Sequence, residues 1–89
     1  MKYLIEITSS AERETRSLPP EIRRRVSAKI LELEDDPRPA RNCRKLEIPL
    51  HGYRLRVGSW RILYRIDDPN RTVLVYAVRH RREAYRKKG

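Results

Sequence analysis

Arg54 and Arg56 stand two residues apart, and Arg61 follows them across Gly58-Ser59. In an extended segment, residues two apart leave the same face. A two-residue turn at Gly58-Ser59 then pairs Val57 with Trp60, Arg56 with Arg61, and Arg54 with Leu63. Like charges directly opposite each other destabilise a sheet. A bound anion relieves that repulsion, and guanidinium groups bind phosphate in a bidentate fork. Further on, Arg79, His80, Arg81 and Arg82 precede Tyr85. A tyrosine among arginines offers a ring for base stacking, worth ~1–3 kcal/mol per base. His80 adds an imidazole, a side-chain type able to exchange protons in acid–base catalysis. Each feature also has a plainer reading. The strand arginines would be solvated outward residues, Tyr85 would pack the tail onto the body, and His80 would be structural.

Other chemistries lack their residues. The single cysteine, Cys43, excludes an intrachain disulfide, and with only His51 and His80 beside it a structural zinc site is not expected. Arg41 and Arg44 flank Cys43, which reads as an ordinary loop cysteine. There is no GxGxxG, P-loop, paired-cysteine motif or nucleophile elbow, and no cofactor is expected. No apolar run approaches the ~20 residues of a membrane span, and no signal-peptide pattern opens the chain. A reducing cytoplasm is the expected setting.

The formal net charge is +10, and it is unevenly spread. Residues 1–36 carry a net −1, residues 37–65 a net +7 and residues 66–89 a net +4. Such asymmetry points to a polyanionic partner: nucleic acid, an acidic protein, or each in turn.

The elements that must position these residues follow from periodicity. Residues 2–7 alternate as a strand, with Tyr3, Ile5 and Ile7 on one face. Thr8, Ser9 and Ser10 offer N-cap hydroxyls for a short helix over 10–17, and if Ser9 caps, Glu12 stands in capping-box spacing. A second helix is expected over 20–34, opened by Pro20 and carrying Ile22, Val26, Ile30 and Leu33 on one face. Residues 37–52 read mostly as loop. Strands follow at 53–57, 60–66 and 72–78, and Asp67-Asp68-Pro69-Asn70 gives a strong turn signal. The order β-α-α-β-β-β predicts an α+β fold. A helical hairpin should pack on a mostly antiparallel sheet of three or four strands. At 89 residues one domain over 1–89 is expected, with 79–89 as a basic tail.

Two stretches also carry a resemblance. Lys45-Leu46, then Tyr53-Arg54-Leu55-Arg56-Val57-Gly58-Ser59-Trp60-Arg61-Ile62-Leu63-Tyr64, resembles the core of RelE-type toxins of the RelE/ParE superfamily. Val78-Arg79-His80-Arg81-Arg82-Glu83-Ala84-Tyr85-Arg86 resembles their ending, and Leu18-Pro19, Ile22-Arg23 and Asp36-Pro37 resemble their helical hairpin. The resemblance covers nearly the whole chain. It implies a RelE-like fold and ribosome-dependent cleavage of messenger RNA, by 2′-OH attack on the scissile phosphate without a metal. It also implies inhibition by an antitoxin, whose covering segment should be acidic and partly disordered. Arg54, Arg56, Arg61, Arg81 and Tyr85 match its catalytic positions; Lys45, Arg65, Arg79, His80 and Arg82 complete the expected RNA-binding surface. This chain departs from the pattern in two places. Arginine fills both positions 54 and 56, where many relatives carry one lysine, and Arg79 stands where glycine is usual. Arginine moves protons poorly, which leaves His80 or a ribosomal group as the general base. The alternatives are a ParE-type toxin that inhibits DNA gyrase by binding, and an RNA-binding module without catalysis.

Overall fold

A computed structural model of the chain describes residues 2–46 and 52–84. Along the chain run β1 (Leu4–Ile7), α1 (Ser9–Arg16), α2 (Pro20–Glu32), β2 (Cys43–Leu46), β3 (Gly52–Val57), β4 (Trp60–Asp67), β5 (Thr72–His80) and α3 (Arg81–Ala84). The five strands form one sheet in the order β1-β5-β4-β3-β2. β1 lies parallel to β5, and the other neighbours are antiparallel. The expected α+β arrangement is present, with five strands rather than three or four.

The extra strand is β2, in a stretch expected to be loop. Its sequence CRKL holds no aromatic or β-branched residue, so propensity gives no signal. It forms because β3 has backbone groups on its outer edge that need partners. Pairing runs from Cys43 opposite Leu55 to Leu46 opposite Gly52.

Of the three candidate hydroxyls it is Thr8 that caps α1, and its Oγ1 accepts from the Ala11 amide at 3.1 Å. The reason lies in the sheet: the Thr8 amide donates to the Val75 carbonyl at 3.0 Å, which carries the extended backbone one residue past β1. α2 opens on Pro20, where the missing N–H removes a donor that would lack a partner. It ends at Glu32, and Leu33 forms its C-cap as a fully buried residue.

One face of the sheet packs on the helices. Val26 and Ile30 of α2 and Leu33 meet Leu55, Ile62, Val73 and Val75 in one buried cluster. Tyr64 is also buried there, and its hydroxyl donates to the Pro37 carbonyl at 2.8 Å while touching Cys43 Sγ at 3.3 Å. Burial, with Cys43 beside it, pushes that hydroxyl's pKa well up, so it stays a donor at neutral pH. The α2–β2 connection is thereby tied to the core. At the same end of the sheet Arg38 forks onto Asp68 at 2.7 and 3.3 Å, and the Tyr3 hydroxyl donates to Asp68 at 2.7 Å. No helix of the described residues is long and apolar enough to cross a membrane.

Candidate nucleic-acid interface

The face turned away from the helices carries the arginines. The hairpin register is the one the two-residue turn dictates: Val57 opposite Trp60, Arg56 opposite Arg61, Arg54 opposite Leu63. Gly58 takes φ +61 in that turn, a left-handed conformation that glycine adopts without strain. On the far side of β4, Arg61 lies opposite Arg79. Arg56, Arg61 and Arg79 therefore form a row across three adjacent strands.

Arg79 reaches this face because β5 is bulged. Leu63 pairs with Ala77 and Tyr64 with Val75, so Tyr76 is an extra residue in β5. The bulge shifts the alternation by one. Val75 and Val78 both enter the core, three residues apart, and Arg79 joins the arginine face. Bulges are common beside functional sites because they re-aim side chains.

The three arginines of the row are held by different acceptors. Arg56 Nη2 donates to Asn42 Oδ1 at 3.2 Å. Arg61 is only 6% exposed, and its Nη1 donates to the Gly58 and Trp60 carbonyls, each at 3.0 Å. Arg79 Nε reaches Glu14 Oε2 at 3.3 Å, while Glu14 Oε1 accepts from the Val78 amide at 2.8 Å. Glu14 thus closes the edge of β5 beyond the end of β1 and anchors one end of the row. Between Gly58 and Trp60, the Ser59 carbonyl accepts from the Arg81 amide at 2.7 Å, which starts α3 against the hairpin turn. Arg61 and Arg81 are thereby gathered around three consecutive carbonyls.

Of the expected site residues, the fold brings Arg54, Arg56, Arg61, Arg65 and Arg79 onto one face, with exposed Arg81 at its edge. Arg54 is half-buried and Arg65 is exposed, its guanidinium carbon 5.4 Å from the Tyr76 ring centroid. Arg82 is exposed on α3. Two residues stand elsewhere. His80 pairs with Trp60 and meets its ring edge-on at 5.3 Å, on the helix-covered side. Lys45 pairs with Tyr53, whose ring stacks on buried Tyr64, so it too belongs to that side. Tyr85 lies outside the described residues. Arg44 is an addition: it is exposed and directly opposite Arg54, on the arginine face. Reading residues 37–52 as loop hid it, because a side can be assigned only to a residue in a strand.

This arrangement suits a chain of phosphates better than a compact ligand. Guanidinium groups two or more residues apart along β3 and β4 offer successive anion contacts some 6–7 Å apart. Among the described residues no group of three His, Cys, Asp or Glu side chains could hold a metal ion.

Comparisons with known proteins agree with this architecture. A family model described as the ParE toxin of type II toxin–antitoxin systems, parDE, matches residues 5–85. The chain is similar to Toxin RelG of Mycobacterium tuberculosis, with 35% identity over 98% of this chain and 100% of that one. It is similar to a chain of the M. tuberculosis toxin–antitoxin complex RelBE2, at TM-score 0.79 and 35% identity, covering 91% of this chain and 100% of that one. It also resembles the archaeal RelE–RelB complex of Pyrococcus horikoshii, at TM-score 0.81 and 26% identity, over 91% and 97% of the two chains. The isolated Escherichia coli RelE toxin superposes at TM-score 0.73 with 26% identity, over 88% of this chain and 83% of that one.

Proposed function

The chain belongs to the ParE toxin family of type II toxin–antitoxin systems, within the RelE/ParE superfamily, and we propose that it acts as a RelE-type, ribosome-dependent messenger-RNA endonuclease. The observation that carries this reading is the row Arg56–Arg61–Arg79 with Arg81 at its end. Inhibition of gyrase by binding requires no such concentration of phosphate-binding groups on one sheet face.

The chemistry asks little of the protein beyond positioning and charge. The 2′-oxygen of the message gives up its proton and bonds to the adjacent phosphorus, while the 5′-oxygen of the next nucleotide leaves and takes up a proton from solvent. The products are a 2′,3′-cyclic phosphate and a 5′-hydroxyl. The enzyme must align the attack and stabilise charge on the phosphate. In this reading Arg61 and Arg81 hold the scissile phosphate. Arg54 and Arg56 orient the backbone, and Tyr85 stacks on or positions a base. His80 packs against Trp60 on the other side, so removal of the 2′ proton is assigned to a group of the ribosome. Asn42 Oδ1 fixes Arg56, and the Gly58 and Trp60 carbonyls fix Arg61, so both side chains are held in place before a phosphate arrives.

The same reading supplies the regulator. The solved relatives include toxins bound to RelB antitoxins. For this chain we expect a cognate antitoxin with an acidic, partly disordered segment that covers the basic surface in the cytoplasm.

Single-turnover cleavage on programmed ribosomes tests the proposal. Removing one preorganised charge at a transition state typically costs ~10²–10³ in rate, and Arg81→Ala should show that loss. Arg81 is exposed and its backbone bond survives the change, so folding should not obscure the result. A parent protein that cuts no message but blocks supercoiling by gyrase would replace this reading with the ParE-type one. Binding of message without cleavage would leave an RNA-binding module.

A further inference from the structure

Below the arginine row the same face carries a second pair. Arg65 lies on β4 four residues from Arg61, so its side chain leaves the same side. The β5 bulge brings Tyr76 beneath it, with the guanidinium carbon 5.4 Å from the ring centroid. Arg65 is exposed. The Tyr76 hydroxyl is fully buried and has no hydrogen-bond partner among the described residues. That is a costly arrangement, because a buried hydroxyl that makes no bond destabilises the fold. Phenylalanine would fill the site without the penalty. Such a group in an otherwise well-satisfied structure requires an explanation.

We propose that Arg65 and Tyr76 form a seat for an RNA phosphate that flanks the one held at the arginine row. The inference rests on the endonuclease reading above and extends the bound strand along β4. In the protein alone, the Arg65 guanidinium lies over the ring. With RNA present it turns its fork to the phosphate and uncovers the hydroxyl, which donates to the same phosphate. Burial raises the Tyr76 pKa above its ordinary value, so the hydroxyl keeps its proton at neutral pH and acts as a donor. Arg54, opposite Leu63, sits between the two phosphate positions and makes the path continuous. The plainer account is that Arg65 and Tyr76 only brace the bulge.

Binding and stability together separate the two accounts. The probe is a ribosome programmed with a message blocked by a 2′-O-methyl group at the cleavage point, compared with message-free ribosomes. Arg65→Gln should weaken binding to the programmed ribosome about tenfold, the value of one charge-assisted hydrogen bond. Tyr76→Phe should weaken it severalfold while holding or raising Tm, since it removes only an unsatisfied group. A loss confined to programmed ribosomes identifies the phosphate as the message's. An equal loss on both identifies it as ribosomal RNA. If both variants bind like a parent protein that still cleaves message, the seat does not exist and the endonuclease reading stands. If the parent neither binds nor cuts on ribosomes, both readings fall together.

Discussion

Arg61 faces Arg56 on one side and Arg79 on the other, yet it is only 6% exposed. Its Nη1 is fixed by the carbonyls of Gly58 and Trp60. The charge is thereby preorganised, but it has also become structural. Arg61→Ala should lower stability by ~1.5–3 kcal/mol, the usual worth of hydrogen bonds to a charged group. Arg56, exposed and bonded to Asn42, should tolerate alanine within ~0.5 kcal/mol, helped by the loss of a like-charge neighbour. Urea denaturation of the two variants checks this; equal midpoints would mean that Arg61 is not part of the fold. Loss of cleavage by Arg61→Ala must therefore be measured where the variant is folded. The sequence made the Arg56–Arg61 pairing legible, since a two-residue turn dictates the register. It did not reveal the depth of Arg61, because alternation assigns a side and not a degree of burial. Nor did it reveal that His80 and Lys45 face the helices.

The reason for His80 lies one scale up, in β5. Its alternation is broken at Tyr76, and only the bulge places Val75 and Val78 in the core together. A uniform alternation would send Arg79 inward and His80 toward the arginines. Nothing in TVLVYAV marks the break, because the neighbouring residues are apolar on both faces. The helices were easier, since Ile22, Val26 and Ile30 repeat at helical spacing and Pro20 marks the start. Beyond the bulge, the far end of the sheet is fixed by polar contacts. Arg38, Tyr3 and Asp68 tie β1 and the α2–β2 connection to the β4–β5 turn. The Arg38 hydrogen bond, then that of Tyr3, holds the Asp68 carboxyl below its ordinary pKa. A carboxylate with a depressed folded pKa stabilises above its unfolded pKa, and the contribution is lost as pH falls through the folded value. The Tm of the parent should therefore exceed that of Asp68→Asn by a constant margin at neutral pH. The margin should close as pH falls below ~4. Thermal denaturation across that range decides it; a margin that persists unchanged into strong acid would show that the carboxylate charge plays no part.

At the scale of the whole molecule, the charge follows the chain. Residues 37–89, which supply the strands of the arginine face other than β1, carry a net +11, while residues 1–36 carry a net −1. A sheet face with several arginines in register attracts polyanions over distances comparable with the Debye length, ~10 Å at 0.1 M salt. Message and antitoxin would then compete for one electrostatic surface. A flexible acidic segment is suited to that competition: it is steered before it folds and can follow the row from Arg44 and Arg56 to Arg79 without a preformed shape. Association with the antitoxin should accordingly slow by an order of magnitude or more as salt rises from ~50 mM to ~500 mM. The dissociation rate should change far less, because it reports the contacts made after docking. Stopped-flow mixing at a series of salt concentrations gives both rates. An association rate indifferent to salt, or a cognate partner whose covering segment is basic, would show that the charge asymmetry serves some partner other than the antitoxin.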